Sequence, residues 1–312
     1  MSICLVCLRP VESAPDIGYH PRCARVLFGS ARVPDAAGVD FRSFRVAAPV
    51  VAGRTARPAG QPGIVVDVTP DGKRLVAAPE AGRYLLKPQR TGLPELPENQ
   101  LLTMRLAEMV GVDVPRCGLV RVFDRSLAFL VQRVGPHGSA GDLRRESLCQ
   151  LAGKPAGEER DGSAELCAEL VRRHSSEPLV ALFKLYRLMV FAWWVGDGDV
   201  HLGNLALATG PDNVRELAPL RDLLCTRLLI PDDQLALPVG GKTDRLTRAD
   251  WLRYGDACGL RPRIVERLLG TIVSSFEEAL GLISRSFLSE DAKVAYAELL
   301  GRRTAMLEAR QP

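Results

Sequence analysis

Apolar and polar residues alternate differently in the two halves of the chain. Between residues 64 and 133, short apolar runs are separated by turns; they include GIVVDV, KRLVAA, RYLLK, GLVRV and LAFLVQ. Short runs bounded by Gly, Pro and Asp are typical of antiparallel strands, and TPDG predicts a hairpin turn. One helix is expected among the strands, with Leu102, Leu106 and Met109 on one face and Gly111 at its end.

After residue 150 the apolar residues recur at helical spacing. SAELCAELVRR and PLVALFKLYRLMVFAWWV predict two helices, and the second is apolar on nearly every side, which predicts a buried core helix. The segment 248–310 alternates apolar and charged residues at the same spacing. We therefore expect an α+β protein of two lobes: a β-rich N-lobe over residues 31–150 and an all-helical C-lobe over residues 151–312.

The composition is that of a globular protein and excludes several classes. Apolar residues make up 46% of the 312 residues and charged residues 25%, and a net charge of +4 is too small to indicate nucleic-acid binding. No run approaches the ~18 uninterrupted apolar residues of a membrane span, and MSICLVCLRP lacks the basic start of a secretion signal. We therefore expect a cytoplasmic protein with reduced cysteines.

Residues 1–30 are expected to form a zinc-binding knuckle. CLVC supplies Cys4 and Cys7, and HPRC supplies His20 and Cys23. Small knuckles hold zinc by such pairs, and four filled ligand positions predict a structural ion. Reduced cysteines packed in a small core are the alternative, because free cysteine is among the most buried residue types. The remaining cysteines are scattered and are expected in the core: Cys117, Cys149, Cys167, Cys225 and Cys258.

The segment GDGDVHLGN, residues 196–204, follows the apolar helix and carries the main candidates for catalysis. Asp199 and Asn204 stand in the spacing D-x-x-x-x-N of the protein-kinase catalytic loop. In that loop the aspartate accepts the proton of the substrate hydroxyl, and the asparagine holds a metal ion. Asp222 follows where a second Mg²⁺ ligand is expected, and Lys87, on a predicted strand, is placed to neutralise phosphates.

Each of these residues has a structural explanation when it is taken singly. An Asp-rich turn after a helix usually caps the helix, which accounts for Asp197. A lysine at the end of a strand is usually a solvated charge, so Lys87 alone is weak support. His201, which we group with the catalytic residues, is expected to orient the loop by hydrogen bonding. Four roles in the right order, split between two lobes, nevertheless favour a kinase over a plain turn.

Nearly the whole chain resembles the HipA-like serine/threonine kinases of bacterial toxin–antitoxin systems, in their compact HipT-like form. The matching segments follow the order of that family: GRYLLKPQ, LPELPENQLLTMRLAEMVGVDVPRCGLV, LFKLYRLMVFAWWVGDGDVHLGN, ELAPLRDLL and RLLIPDDQLALPVGGK. The resemblance implies a two-lobed protein-kinase-like fold. It also implies transfer of the ATP γ-phosphate to a Ser or Thr of a protein, with ATP and Mg²⁺ as cofactors.

The same resemblance implies roles for individual residues. Asp199 would be the catalytic base, with His201 beside it, and Asn204 and Asp222 would hold Mg²⁺. The residues implied to bind ATP are Lys87, Gln61, Val131 and Gln132.

Partners are implied by the resemblance as well. The protein substrate would be an aminoacyl-tRNA synthetase, whose phosphorylation arrests growth. A helix-turn-helix antitoxin of the HipB type would bind the chain, and a small HipS-like protein would supply a subdomain that the chain lacks. DNA would be reached only through the antitoxin, and no membrane is involved.

Several positions depart from the pattern of the family. Gly203 stands where a lysine usually precedes the metal-binding asparagine. Asn99 and Gln100 stand where the helix usually carries Asn-Glu, so an ion pair to Lys87 is lost unless Glu98 replaces it. The phosphate loop ARPAGQPG lacks the serines that members of the family phosphorylate.

These departures leave two alternatives open. The pattern D-x-H-x-G-N also resembles the aminoglycoside and choline kinases, which carry glycine before the asparagine and phosphorylate small molecules. The altered phosphate loop and Gln100 instead suit a degenerate, non-catalytic kinase that acts as a binding partner. Segments around 84–120 and 228–242 favour the HipA-like interpretation over the small-molecule kinases.

Overall fold

A computed structural model describes residues 2–12, 18–39, 63–79, 82–133 and 144–309. The chain divides into two compact units, and each is built from three segments. Unit 1 comprises Met1–Arg105, Pro115–Arg133 and Gly281–Lys293. Unit 2 comprises Leu106–Val114, Val134–Leu280 and Val294–Pro312.

Unit 1 begins with a two-stranded hairpin and a short helix. The first strand, β1 (Ser2–Ile3), pairs antiparallel with β2 (Pro10–Val11). Helix α1 (Pro21–Phe28) has proline in its first turn, where a missing N–H costs nothing. It ends at Gly29, whose φ of 79° closes the helix in the left-handed conformation that glycine adopts without strain.

The rest of unit 1 is an antiparallel sheet with one helix. Its strands lie in the order β4-β3-β5-β7-β6, and β6 is an edge strand. The strands are β3 (Ile64–Val68), β4 (Leu75–Ala77), β5 (Tyr84–Pro88), β6 (Cys117–Arg121) and β7 (Leu127–Gln132). The hairpin predicted at TPDG, β3–β4, is therefore confirmed, and the predicted strands GLVRV and LAFLVQ pair antiparallel as β6 and β7.

Helix α2 (Leu96–Met109) confirms the helix predicted among the strands. Leu102 and Leu106 are both fully buried, as expected of its apolar face. Gly111 follows with a φ of 78°, which supplies the left-handed residue that ends many helices.

Unit 2 is mainly helical. Its helices within the described residues are α3 (Leu148–Leu151), α4 (Ala164–His174), α5 (Pro178–Val195), α6 (Arg248–Ala257), α7 (Pro262–Ser274), α8 (Phe276–Ser284) and α9 (Glu290–Glu308), of which α8 and α9 also contribute residues to unit 1. A three-stranded antiparallel sheet accompanies them: β8 (Arg144–Ser147), β9 (Ala206–Thr209) and β10 (Arg215–Leu217), in the order β10-β9-β8. The α+β class is confirmed. Strands β9 and β10 lie in the segment 151–312 that the sequence predicts as all-helical, and β8 lies just before it.

Helix α5 forms the core of unit 2. Trp193 and Trp194 are completely buried, and the Trp194 indole donates to the Thr304 hydroxyl at 2.9 Å. In length and composition α5 also meets the criteria for a membrane span, but 67% of it is buried inside the protein. Burial of this kind is what the all-round apolar pattern predicts for a core helix.

Candidate active site

The segment 196–204 leaves the core helix through a left-handed glycine. Gly196 has a φ of 77° and ends α5, so the chain reverses directly after the buried tryptophans. A side chain here would also collide with Leu299, since an added Cβ would come within 2.7 Å of it. The loop therefore starts from a fixed point on the most buried helix of unit 2.

Asp197 organises the loop from inside the protein. Its Oδ1 accepts the Asp199 N–H at 2.9 Å, and its Oδ2 accepts the Leu224 N–H at 3.2 Å. Complete burial raises the pKa of Asp197 well above its usual value, and the carboxylates of Asp233 and Asp222 raise it further. Asp197 thus joins the loop to the segment that carries Asp222, which is more than the helix cap expected from the sequence.

Asn204 and His201 hold the loop closed by hydrogen bonds. The Asn204 amide donates to the Asp199 carbonyl at 2.7 Å and accepts the His201 N–H at 3.0 Å. The His201 ring accepts the Gly203 N–H through Nδ1 at 3.0 Å. These contacts place His201 among the residues that shape the loop, and they fix Asn204 relative to Asp199.

Arg160 is a site residue that the sequence analysis missed. Its guanidinium donates to Asp199 Oδ1 and, at 3.2 Å, to the Gly198 carbonyl. The Asp199 side chain is only 3% exposed, and its Oδ2 has no hydrogen-bond partner among the described residues. One oxygen of the candidate base is therefore held by an arginine, while the other is buried and keeps its capacity to accept a hydrogen bond. No local motif marks Arg160, because it lies 39 positions before Asp199 in the sequence.

Neighbouring side chains explain sterically why residue 203 is a glycine. The Leu202 N–H donates to the Glu159 carbonyl at 2.9 Å, which brings the segment before Arg160 against the loop. A Cβ on Gly203 would lie 2.7 Å from Glu159 Cγ and 3.0 Å from the His201 ring. The side chain of Glu159, the neighbour of Arg160, therefore occupies the space that a side chain at position 203 would need.

Asp222 lies in the same unit as the loop and close enough to interact with its charges. It contributes to the raised pKa of Asp197. It also stabilises the charge of Arg145, whose pKa nevertheless falls to about 10 because of burial and the neighbouring Arg221. Carboxylate oxygens are the hard ligands that Mg²⁺ prefers, so Asp222 has the chemistry of the metal ligand predicted from the sequence.

The residues expected to bind ATP lie in unit 1 where they are described. Lys87 is on β5, 1% exposed, and faces Phe129 in the strand register. Val131 and Gln132 are on β7, opposite Leu85 and Tyr84 of β5. Gln61 lies outside the described residues.

Two side chains of α2 are buried with polar atoms that lack partners. Gln100 is 1% exposed, and neither atom of its amide has a hydrogen-bond partner among the described residues. Glu98 Oε2 is likewise buried without a partner, and burial raises the pKa of Glu98. Buried polar groups are rarely left in this condition, so Glu98 and Gln100 are unusual among the residues of α2 that belong to unit 1.

The predicted metal ligands near the N-terminus are also brought together. The ligand atoms of these four residues all lie within 4.8 Å of one another: Cys4, Cys7, His20 and Cys23. The five other cysteines are buried, as predicted for core residues.

Comparisons with known proteins identify the class. The model of the HipA-like C-terminal domain matches residues 60–280, so the chain belongs to that family. HipA of Shewanella oneidensis, solved in complex with HipB and its operator DNA, superposes with a TM-score of 0.68 at 19% identity, over 84% of this chain and 70% of that one. The Helicobacter pylori proinflammatory kinase CtkA superposes with a TM-score of 0.51 at 14% identity, over 72% and 86%. The predicted kinase-like fold and family are confirmed.

Curated relatives point in the same direction. A Haemophilus influenzae protein named "Putative kinase" is 25% identical over 257 residues, which cover 73% of this chain and 75% of that protein. Y4mE of Sinorhizobium fredii carries the same description and is 29% identical over 228 residues, or 67% of this chain and 52% of its own length.

Proposed function

We propose that the chain is a Mg²⁺-dependent kinase that transfers the γ-phosphoryl group of ATP to a Ser or Thr hydroxyl of a protein. The observation that carries this proposal is the hydrogen-bonded loop in which Asn204 fixes the backbone of Asp199 at 2.7 Å. The family and the kinase-like fold support it. An Asp-rich turn that only capped a helix would need neither Asn204 nor an arginine on Asp199.

In the proposed mechanism the protein acts mainly by positioning and by charge neutralisation. Asp199 accepts the hydroxyl proton through Oδ2, which lacks a partner among the described residues, while Arg160 keeps the carboxylate in one orientation. Asn204 and Asp222 would hold Mg²⁺, and Lys87 would neutralise ATP phosphates. The bound Mg²⁺ supplies charge neutralisation on the transferred phosphoryl group.

The partners of this reaction are proposals of the same kind. We infer a cytoplasmic kinase whose substrate is an aminoacyl-tRNA synthetase and whose activity arrests growth. HipA of Shewanella oneidensis was solved with HipB and operator DNA, which supports a HipB-type antitoxin as partner and contact with DNA only through it. A small HipS-like protein would complete the compact form of the family.

A small-molecule phosphotransferase is the second candidate. The observation that favours it is Gly203, whose position leaves no room for the lysine that HipA-like kinases usually carry. A degenerate kinase that binds nucleotide without turnover is the third, favoured by the unpartnered amide of Gln100. Phosphoryl transfer to protein separates the first proposal from both.

The deciding experiment incubates the purified chain with γ-labelled ATP, Mg²⁺ and a cell lysate. A discrete labelled protein band supports the protein kinase, and mass spectrometry of that band identifies the phosphorylated Ser or Thr. Label found only in small molecules favours the second candidate. Nucleotide binding without any transfer of label favours the third. Expression of wild type and Asp199→Asn in cells then tests whether arrest of growth depends on the reaction.

The zinc ion predicted for the N-terminal ligands is a separate proposal. None of the residues assigned to phosphoryl transfer belongs to that cluster, so the two can fail independently.

A further inference from the structure

We propose that Cys4, Cys7, His20 and Cys23 hold one structural zinc ion, and that this ion fixes the N-terminal segment onto the edge strand of the unit 1 sheet. The first part rests on the ligand cluster, and the second on backbone contacts between residues 2–39 and β6. Neither part depends on the proposed kinase activity.

The first two ligands are presented by a tight turn between β1 and β2. The Cys4 N–H donates to the Arg9 carbonyl at 2.9 Å, and the Leu8 N–H donates to the Cys4 carbonyl at 3.1 Å. Leu8 has a φ of 56°, a left-handed conformation that is unusual for a residue with a side chain. This strained residue directly follows Cys7, in the turn that brings the thiols of Cys4 and Cys7 into one cluster.

His20 is oriented as a metal ligand. One ring nitrogen, Nε2, lies 2.9 Å from the Pro10 carbonyl, which only a protonated nitrogen can satisfy. The other, Nδ1, lies 3.4 Å from the Cys7 sulfur and 3.8 Å from the Cys23 sulfur, on the side of the cluster. Metal-binding histidines characteristically donate their second ring nitrogen to a carbonyl, which fixes the tautomer.

The burial of the cysteines separates this cluster from ordinary core packing. Cys7 and Cys23 are half-buried, whereas the five cysteines elsewhere in the chain are fully buried. Packing in a core therefore does not explain the positions of Cys7 and Cys23. Three thiols and one imidazole, all within 4.8 Å, are the donor set of tetrahedral zinc, and no position is left open for a substrate.

The segment held by these ligands covers the edge of the sheet. Among the described strands β6 pairs only with β7, so its outer side would expose unpaired backbone groups. The Leu119 N–H instead donates to the Leu5 carbonyl at 2.7 Å, and the Leu119 carbonyl accepts a hydrogen bond from the Tyr19 hydroxyl. Both backbone groups of Leu119 are therefore satisfied by the two sides of the ligand cluster.

Gly118 permits this close approach. A Cβ at that position would lie 2.8 Å from Leu27, 3.0 Å from Val6 and 3.1 Å from the Leu5 carbonyl. The turn that carries Cys4 and Cys7 and the helix that carries Cys23 therefore converge on one residue of β6. Two further hydrogen bonds hold the segment: Tyr84 to the Leu27 carbonyl at 2.7 Å and Arg285 to the Leu8 carbonyl at 3.2 Å.

A metal explains how so short a segment keeps this arrangement. The hairpin β1–β2 has two residues in each strand, and α1 has eight residues, which are too few to form a stable core alone. An ion bound to both joins the turn to the helix start, and its binding energy becomes energy of folding.

The first test is metal analysis of the full chain, purified under reducing conditions without chelator. Wild type is expected to contain about one zinc per chain. Cys7→Ser should lose the zinc, and the matched control Cys149→Ser, a buried cysteine of unit 2, should keep it. Absence of zinc from wild type, iron in its place, or full zinc content in Cys7→Ser would overturn the site.

The second test is hydrogen exchange of zinc-loaded protein before and after removal of zinc by a chelator. Peptides that contain β6 should exchange faster after removal, whereas peptides of β9 in unit 2 should be unchanged. Gly118→Ala should keep its zinc and yet show faster exchange of β6, because only the docking is disturbed. Exchange of β6 that is unaffected by chelation and by Gly118→Ala would overturn the docking role, even if zinc is bound.

Discussion

Arg160 donates a hydrogen bond to the carboxylate of Asp199 from a segment 39 positions earlier in the chain. The arginine also binds the Gly198 carbonyl at 3.2 Å, so its fork spans a side chain and the backbone before it. Only 3% of the Asp199 side chain is exposed, which strengthens the contact because water screens it poorly. The contact fixes the orientation of the Asp199 carboxylate, whose second oxygen is buried without a hydrogen-bond partner among the described residues.

Arg160→Ala should therefore lower turnover by ~10-fold to 10²-fold, since a misoriented catalytic group loses about that much. Arg160→Lys should recover part of the loss, because it restores the charge without the fork. Steady-state kinetics with the protein acceptor measures both, with Arg173→Ala as the control for an exposed arginine that pairs only with Glu169. A rise in turnover would mean that Arg160 blocks the base instead of orienting it.

Gly203→Ala should reduce both turnover and melting temperature. The new Cβ would meet Glu159 Cγ at 2.7 Å and the His201 ring at 3.0 Å, so the Glu159 side chain beside Arg160 would have to shift. Gly270→Ala is the matched control, because a Cβ at that helical position meets nothing within 4 Å and alanine favours helix. The steric account fails if the two variants behave alike.

Asp222→Asn should weaken nucleotide binding only when Mg²⁺ is present. The substitution removes an anionic hard ligand but keeps the size of the side chain. Calorimetric titration with an ATP analogue, with and without Mg²⁺, measures the difference. The control is Asp212→Asn, in an exposed turn of unit 2. An equal loss of affinity in the two conditions would show that Asp222 does not act through the metal.

Asp250 should make the stability of unit 2 depend on acid pH. Burial raises its pKa, but the Thr247 backbone N–H and the Lys242 ammonium outweigh this and lower the pKa to about 2. The stabilisation is fully present above the unfolded value of ~3.9 and is lost as the pH falls through about 2. Urea unfolding should give a wild-type advantage over Asp250→Asn that shrinks below pH 4. An advantage that is constant with pH would contradict this account.

Local patterns were sufficient to predict the elements that frame the site. The turn TPDG predicts the β3–β4 hairpin, and the all-round apolar sequence predicts the buried α5. Strand β8 could not be predicted, because RRES has no apolar alternation and pairs only through its backbone with β9. Strands of this kind depend on a partner that lies elsewhere in the sequence.

In the candidate site, likewise, some residues could be predicted from local spacing and others are brought to the loop only by the tertiary fold. Spacing alone was enough to predict Asp199 and Asn204 as candidates, and the hydrogen bond between them is a local contact. Arg160 reaches the loop through the tertiary fold, so no motif contains it. The explanation for Gly203 is likewise tertiary, because Glu159 occupies the space beside it.

The measurement that tests the central claim most directly is phosphoryl transfer by Asp199→Asn, with its melting temperature as a check on folding. The substitution keeps the shape of the side chain and removes the charge that accepts the proton. Turnover should fall by ~10²-fold or more, the contribution of a positioned general base, and toxicity should disappear, while Mg²⁺–ATP still binds. If Asp199 were only a cap, asparagine would replace it with little effect. Wild-type turnover in a folded Asp199→Asn protein would contradict the assignment of residues 196–204 as a catalytic loop.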